Sequence, residues 1–237
     1  PVQLSQTAAR GLRELRIRTS RPESEGRERG LELRIGVDAM GSDRAPAPEV
    51  EGALAVCADL ADDDRIVLVG NEQTVGRELA RHGSVATDKI EIRHADQRIS
   101  MGESPVESIR IKSSSSIAVM VQMHADGELD ACISAGNTGA FVSAAQMRLR
   151  RLPGVNRPGI GIIIPTVHGP VTLCEAGANI SCRPQHLYQY AVMASIYTES
   201  VVGIKNPRVG LLSVGQEDAK GNDLVRAAHG LIKADNM

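Results

Sequence analysis

The chain has 237 residues and a formal net charge of −2 at pH 7, a length that suits one large α/β domain or two small ones. Aromatic residues make up only 2% of the sequence and Trp is absent, which leaves too few rings for a single-stranded nucleic-acid binder. Outside an Arg-rich beginning the sequence is acidic, which argues against any nucleic-acid partner. No stretch reaches the roughly 18 consecutive apolar residues of a membrane span.

The sequence divides into a leader and a folded region. Residues 1–32 lack apolar periodicity and are predicted to form a disordered, Arg-rich leader. Residues 33–237 are predicted to form one α/β domain. The cysteines form no C-x-x-C pair, and most lie in apolar stretches, so we interpret them as reduced residues that pack as small hydrophobic side chains. Neither a metal site nor a cofactor is predicted.

Short aliphatic runs alternate with helical patterns from Leu33 onward. Strands are predicted over 34–37, 65–70, 90–92, 130–133, 160–164, 171–174 and 209–214. Helices are predicted over 48–60, 72–82 and 185–200. Another runs from 105 past 124 with a break at 113–116. Two more follow loops: one begins at the 134–139 turn and ends near 149, and the last follows the 215–222 loop and ends near 233. The S-x-x-E pattern from Ser104 to Glu107 predicts a capping box at the start of the third helix.

This alternation indicates a mostly parallel sheet with helices on both faces, a Rossmann-like αβα sandwich. The two strands on either side of His168 and Gly169 are predicted to form a hairpin inserted into that pattern. Ligands of such sheets bind beyond the carboxyl ends of the strands.

Glycine-containing polar loops follow several of the predicted strands, and they span residues 38–43, 134–139, 175–179 and 215–222. Glycine lets backbone N–H groups approach a ligand, and the helix that follows adds positive potential at its N-terminus. The loops therefore predict a shared anion site, with phosphate as the first candidate.

Other kinds of site lack their motifs. The sequence contains no P-loop motif, no complete G-x-G-x-x-G and no G-x-S-x-G. Cys132 and Cys174 lie inside strand-like runs, which favours core packing over a nucleophilic role. His168 and His186 lie near loops, where they are interpreted as solvated side chains rather than as an acid or a base.

The loops carry a resemblance to a known family, the phosphate acyltransferases of bacterial phospholipid synthesis (the PlsX family). The similar motifs are V-D-A-M-G at 37–41, S-A-G-N-T-G-A at 134–140, P-T at 165–166, G-A-N at 177–179 and K-G-N at 220–222. The chain differs at Ser42, where the family usually has Gly, and at Glu175, where it usually has Asp. The family continues beyond the last predicted helix, so the resemblance implies a sequence truncated at its C-terminus.

This resemblance implies a fold of the isopropylmalate dehydrogenase and phosphotransacetylase type. It also implies an enzyme that transfers a fatty acyl group from acyl-acyl carrier protein to inorganic phosphate without a cofactor. The product is an acyl phosphate for phospholipid synthesis. The family implies further a homodimer in the cytoplasm that associates peripherally with the inner face of the membrane.

Residue chemistry at the matching positions predicts the roles within the site. Phosphate is already an anion at pH 7, so it needs donors and positive charge rather than a strong base. The predicted catalytic residues are Lys112, Asn137, Glu217 and Lys220. The predicted phosphate-binding residues are Asp38, Gly41, Ser134, Gly136, Thr138, Gly139, Asn179 and Asn222. Arg148, Arg150 and Arg151 form the densest basic cluster outside the leader. They are predicted to dock the acidic carrier protein, and the alternative is that they only complement the C-terminal end of the helix before them.

The sequence is also compatible with other functions. A phosphotransacetylase-like enzyme that uses acyl-CoA would share the phosphate site. A non-catalytic remnant would bind phosphate or pair with a complete subunit. A metal-dependent hydroxyacid dehydrogenase is disfavoured because the sequence contains no tight Asp cluster.

Overall fold

The computed structural model describes residues 32–83, 87–215, 217 and 220–235. The predicted leader lies outside these residues except for Glu32. The strands are β1 Arg34–Asp38, β2 Arg65–Gly70, β3 Ile90–His94, β4 Ala131–Ile133, β5 Gly161–Ile164 and β6 Val171–Cys174. The helices are α1 Ala47–Val56, α2 Glu72–Arg81, α3 Pro105–Ile111, α4 Ser116–Ala125, α5 Thr138–Arg148, α6 Pro184–Tyr197 and α7 Asp223–Lys233. The described residues fall into two compact units, an N-terminal unit over 32–150 and a C-terminal unit over 151–235.

The N-terminal unit is built on a four-stranded sheet in the order β3-β2-β1-β4. All of its pairings are parallel, with β1 between β2 and β4. The β2 sequence is almost wholly aliphatic because both faces of this strand are covered. The mostly parallel α/β sheet predicted from the alternation is confirmed.

Helices cover the two faces of that sheet. Ile66 and Leu68 of β2 pack against α1 and α2, whereas Val67 and Val69 point the other way and pack against α4. A further apolar cluster joins α3, α4 and α5 through Ile109 and neighbouring aliphatic side chains. The N-terminus of α5 is therefore held beside the carboxyl ends of β1 and β4.

The predicted break between α3 and α4 is confirmed. Helix α3 ends at Ile111, and α4 begins at Ser116 with the Ser115 hydroxyl accepting a hydrogen bond from Ala118 N. The start of α3 at Pro105 is also confirmed, but the predicted capping box is wrong. The Ser104 side chain makes no capping hydrogen bond.

The C-terminal unit contains a separate antiparallel hairpin of β5 and β6, followed by α6 and α7. The predicted hairpin is confirmed, although its residues are largely exposed rather than part of a covered sheet. Helix α6 continues through a π-helical turn from Thr198 to Val202, so the predicted helix over 185–200 is also confirmed.

The strand predicted over 209–214 is wrong. The segment has no regular secondary structure, and the side chains of Leu212 and Val214 are 88% and 90% exposed. An aliphatic run indicates a buried strand only where a neighbouring strand can accept and donate its backbone hydrogen bonds. No described residue of the C-terminal unit pairs with this run. Among the described residues no helix is long and apolar enough to cross a membrane.

Candidate functional site

A buried carboxylate connects the loops that follow β1 and β4. Asp38, the last residue of β1, is fully buried. Its Oδ2 accepts a hydrogen bond from Ser134 Oγ at 2.7 Å, and its Oδ1 accepts one from Met40 N at 3.2 Å. The Ser134 hydroxyl in turn accepts a hydrogen bond from Gly136 N at 3.1 Å. Parallel pairing of β1 with β4 brings these residues together although 96 positions separate Asp38 from Ser134.

The same two loops touch at Gly41 and Gly136. A Cβ atom on Gly41 would lie 2.6 Å from Asp38 Oδ2 and 2.8 Å from Gly136 N. A Cβ atom on Gly136 would lie 3.0 Å from Gly41 Cα. Backbone atoms cannot move aside as a flexible side chain can, so both positions require glycine for this close approach.

The Asn137 side chain joins the start of α5 to the segment from Ser100 to Glu103. Its Oδ1 accepts a hydrogen bond from Ala140 N at 3.0 Å and so caps α5. Its Nδ2 lies 3.1 to 3.2 Å from the carbonyl oxygens of Ser100, Met101 and Glu103. The side chain is buried, and its hydrogen bonds lie inside the protein. We therefore assign Asn137 a positioning role. The sequence had instead suggested that this residue contacts phosphate directly.

Lys112 is held by an acidic partner. Its Nζ lies 2.6 Å from Glu103 Oε2 and donates to the Arg98 carbonyl oxygen at 3.0 Å. Glu103 also accepts a hydrogen bond from Ser100 N at 2.7 Å through Oε1. The hydrogen bond from Lys112, followed by the one from Ser100, lowers the pKa of Glu103 to about 2. Glu103 is therefore ionised at neutral pH and balances the charge of Lys112.

The segment from Gln97 to Glu103 was missed as part of the site. Glu103 and the carbonyl groups that Asn137 binds all belong to it. A sequence signal was present, because Ser100 to Glu103 is itself an S-x-x-E pattern. In this pattern the Glu103 side chain accepts a hydrogen bond from Ser100 N and closes a turn there. The turn begins four residues before Ser104, where the capping box was predicted.

The exposed N-terminus of α5 is the part of this arrangement that faces solvent. Thr138 is exposed at the first helical position, and the partly buried Gly139 follows it. A Cβ atom on Gly139 would lie 2.7 Å from Pro105 Cγ, so glycine permits the close packing of α3 on α5. N–H groups in the first turn of a helix lack hydrogen-bond partners within that helix. In α5 they lie at the edge of the sheet where β1 and β4 end. The arrangement suits an anion of the size of phosphate.

In the C-terminal unit the 175–179 loop closes on its own carboxylate. Glu175 Oε2 accepts hydrogen bonds from Asn179 Nδ2 at 2.8 Å and from Ile160 N at 3.2 Å. Its Oε1 accepts hydrogen bonds from the backbone N–H groups of Gly177 and Ala178. Burial works against ionisation of this group. The hydrogen bonds, led by the one from Asn179, nevertheless lower its pKa.

The remaining predicted phosphate-site residues of the C-terminal unit lie at the start of α7. Asn222 caps this helix, with its Oδ1 accepting a hydrogen bond from Val225 N at 2.9 Å. Glu217 and Lys220 are exposed and line a cavity of about 240 Å³ together with Arg226 and His229. The single anion site predicted for all the loops stays a prediction, because these residues belong to a different compact unit from Asp38 and Ser134.

The predicted docking arginines also divide between the two units. Arg148 ends α5 and Arg150 follows it with a φ of 65°, and both side chains are exposed. Arg151 begins the C-terminal unit and donates a hydrogen bond to the Asn156 carbonyl oxygen. The structure therefore shows exposed arginines at the predicted positions, and their binding to the carrier protein stays a prediction.

The cysteine and histidine side chains do not form a reactive centre. Burial raises the pKa of Cys132 to about 11, and burial together with the Glu175 charge does the same for Cys174, so neither is a thiolate at neutral pH. His168 is exposed as predicted, whereas the solvated position predicted for His186 is wrong. His186 is buried at the start of α6, where its Nδ1 accepts a hydrogen bond from Arg183 N. No group of three or more potential metal ligands occurs in the described part of the chain.

Comparison with known proteins identifies the family. The sequence model of a family described as "Fatty acid synthesis protein" matches residues 33–237. The chain belongs to this family. The match covers both compact units and all of the glycine-containing loops.

The relatives that match this chain are called phosphate acyltransferases. The chain is 41% identical over 206 residues to the phosphate acyltransferase of Bacillus licheniformis, covering 86% of this chain and 61% of that protein. It is 45% identical over 202 residues to the one from Thermosynechococcus vestitus, covering 84% of this chain and 58% of that protein. These matches confirm the resemblance to phosphate acyltransferases. The chain spans about three fifths of the length of these relatives.

A solved structure shows the same kind of fold. The EutD phosphotransacetylase from Staphylococcus aureus superimposes with a TM-score of 0.57 at 20% sequence identity, covering 95% of this chain and 68% of that chain. This likeness confirms the α/β fold of the phosphotransacetylase type.

Proposed function

We propose that the protein transfers a fatty acyl group from acyl-acyl carrier protein to inorganic phosphate. The observation that carries this proposal is the family match over residues 33–237, supported by relatives named phosphate acyltransferase at 41% to 45% identity. The joined loops at Asp38 and Ser134, beside the N-terminus of α5, support the proposal as the position assigned to phosphate.

The reaction joins a phosphate oxygen to the carbonyl carbon of the thioester. The C–O bond forms as the C–S bond breaks, and the proton of hydrogen phosphate passes to the departing thiolate of the carrier. The products are an acyl phosphate dianion and a free carrier thiol, so atoms and charge balance. Because phosphate is already an anion, the protein has to position it and to stabilise the oxyanion that develops on the thioester.

In this proposal the residues of the N-terminal unit hold the phosphate. Thr138 supplies a hydroxyl and a backbone N–H group at the start of α5. Asp38 and Ser134 fix the loop that carries Gly136, and Asn137 fixes the segment that carries Glu103. Lys112 contributes positive potential, which its ion pair with Glu103 partly offsets. Gly41 and Gly136 allow the close approach of backbone atoms, and Gly139 allows α3 to pack closely on α5.

The C-terminal unit contains predicted phosphate-binding residues of its own, and the proposal treats them within that unit. Lys220 is an exposed cation beside Glu217, and we assign it to phosphate binding together with Asn179 and Asn222. Changing Lys220 to Met removes one charge-assisted contact, which is expected to weaken phosphate binding by about 1.5–3 kcal/mol. Lys233→Met is the matched control, since this exposed lysine ends α7. An equal Michaelis constant for phosphate in both variants would remove Lys220 from the site.

The decisive experiment follows acyl phosphate formation. The chain is incubated with acyl-acyl carrier protein and phosphate, and the product is trapped with hydroxylamine as a hydroxamate. The expected result is hydroxamate that depends on both phosphate and the carrier thioester, above the amount formed without phosphate. Hydroxamate formed only from acyl-CoA would assign the phosphotransacetylase reaction instead. No phosphate-dependent hydroxamate from either thioester would contradict the proposal.

We propose further that the exposed arginines after α5 bind the acidic carrier protein. Reversal of Arg148 and Arg150 to Glu is expected to slow association with the carrier and to flatten its dependence on salt. Arg77→Glu is the control, because this exposed arginine lies on α2, which packs on the opposite face of the sheet from α4. Equal carrier affinity at low salt in both variants would leave the arginines only a role at the end of α5. The homodimer and the peripheral membrane association implied by the family remain proposals as well.

A further inference from the structure

The Glu175 carboxylate is surrounded by hydrogen-bond donors from its own loop. Two successive backbone N–H groups, those of Gly177 and Ala178, donate to one carboxylate oxygen. The side-chain amide of Asn179 and the backbone N–H of Ile160 donate to the other oxygen. Convergence of this many donors on one small anionic group is the pattern of an anion-binding site.

The shape of the loop fits that description. Gly177 has a φ of 116°, a conformation that glycine adopts readily and that turns successive N–H groups toward one point. Asn179 is further anchored through a hydrogen bond from its Nδ2 to the Pro158 carbonyl oxygen at 2.8 Å. Gly177 and Ala178 are exposed, so an anion from solvent can reach their N–H groups.

Two arginines lie beside the residues that hold this loop. Arg157 precedes Pro158, whose carbonyl accepts the Asn179 amide, and Arg183 follows Cys182, whose thiol donates to the Asn179 carbonyl. Neither arginine forms an ion pair within the part of the chain that the structure describes. Each arginine is therefore adjacent in sequence to a residue that anchors the loop.

We infer that the 175–179 loop is a phosphate-binding subsite that the chain's own Glu175 carboxylate occupies. Glu175 thus acts as an internal competitor. Phosphate binds to the loop only when the carboxylate swings out, and the donors then pass from one anion to the other. The inference rests on the proposed function only in taking phosphate as the anion.

Occupancy by an internal group lowers the apparent affinity for the external ligand. If the carboxylate leaves the loop in about a tenth of the molecules, the apparent affinity for phosphate falls about tenfold. Replacing the Glu175 carboxylate by a neutral group should therefore raise the apparent affinity for phosphate about tenfold. A purely structural Glu175 predicts the opposite, because its loss would loosen the loop and weaken phosphate binding.

The test is a titration of the full chain, labelled with ¹⁵N, with inorganic phosphate. The backbone amide resonances of Gly177 and Ala178 report on this loop, and those of Gly41 and Gly136 report on the N-terminal unit. The expected result is that Glu175→Gln lowers the dissociation constant read at Gly177 and Ala178 by about tenfold or more. The constant read at Gly41 and Gly136 should stay within about twofold. Glu107→Gln, on the exposed start of α3, is the matched control and should change neither.

Two further variants keep the test decisive. Asn179→Ala in the Glu175→Gln background removes a donor and should reverse the gain in affinity. Glu175→Asp keeps the charge on a shorter side chain and should give a smaller gain, which matters if the Gln variant disturbs the loop. An unchanged or higher dissociation constant in both Glu175 variants, with dispersed spectra that show a folded chain, overturns the inference.

The outcomes also separate this inference from the proposed function. Phosphate-dependent shifts at Gly177 and Ala178 without any acyl phosphate formation would support the subsite and contradict the acyltransferase reaction. Acyl phosphate formation with no gain in the Glu175 variants would contradict only the subsite.

Discussion

The two compact units satisfy their polar loop groups in different ways. In the N-terminal unit, Ser134 donates to Asp38 and Asn137 donates to the Ser100 carbonyl, across separations of 96 and 37 residues. In the C-terminal unit, Glu175 accepts hydrogen bonds from residues two to four positions further along the chain. The first unit therefore joins its loops across long sequence separations, whereas the 175–179 loop of the second combines bonds within the loop with bonds to Ile160 and Pro158.

The sheet topology explains this difference. Parallel strands end at the same edge of a sheet, so the loops that follow β1 and β4 must meet. In an antiparallel hairpin the end of the second strand lies beside the start of the first, so the loop after β6 meets the segment that enters β5. Glu175 and Asn179 therefore reach across 15 and 21 residues, a shorter separation than the 96 residues between Asp38 and Ser134.

The largest expected effect comes from the two capping asparagines, one in each unit. Asn137→Ala should reduce the free energy of unfolding by about 2–4 kcal/mol, because the loss of the cap of α5 is joined by the loss of bonds to the Ser100, Met101 and Glu103 carbonyls. Asn222→Ala should cost only about 1 kcal/mol, since its side chain caps α7 with a single bond to Val225 N. Urea unfolding of both variants measures the difference. Equal losses would show that the contacts of Asn137 with the 100–103 segment contribute nothing to stability.

A smaller effect is expected from a methyl group at the contact between loops. Gly41→Ala should destabilise the N-terminal unit by about 1–3 kcal/mol, because the new Cβ atom meets Asp38 Oδ2 and Gly136 N. Gly52→Ala is the control, since a Cβ atom added to this exposed glycine of α1 would have no neighbouring atom within 4 Å. The control should be neutral or should stabilise the chain by up to about 1 kcal/mol. Shifts in the urea midpoint test this contrast, and an unaffected Gly41 variant would mean that the loops separate freely.

The smallest effect concerns pH and the ion pair of Lys112. The pKa of Glu103 is about 2 in the folded chain, below its ordinary value of about 4.3 in an unfolded chain. A depressed carboxyl pKa stabilises the fold above about pH 4.3, and this contribution is lost as the pH falls toward about 2. Lys112→Met removes the main cause of the depression, so its unfolding midpoint should change less between about pH 5 and pH 3 than that of the unaltered chain.

The control for the pH prediction is Lys205→Met, an exposed lysine of the C-terminal unit that has no ion pair in the described part of the chain. This variant should retain the full pH dependence of the unaltered chain. A Lys112 variant with the same pH dependence as Lys205→Met would show that the Lys112–Glu103 pair does not persist in solution.

Much of the fold could be read from local patterns. Period and composition located β1 to β6, and the serine run before Ser116 located the break between two helices. The run over 209–214 misled, because aliphatic composition indicates burial only where a partner strand exists. The capping pattern from Ser104 also misled, because its side chain makes no capping hydrogen bond. A competing S-x-x-E pattern at Ser100 bonds its own backbone instead.

The sequence by itself determined the α/β alternation, the residue types of the polar loops and the family, because these depend on local composition and motifs. Tertiary structure decided how those loop residues are used. Asn137 and Lys112 became tied to Ser100 and Glu103, since chain folding alone sets which distant carbonyl or carboxylate lies within hydrogen-bond reach. For the same reason Glu175 became tied to Ile160 N, a donor that lies 15 residues away in the sequence.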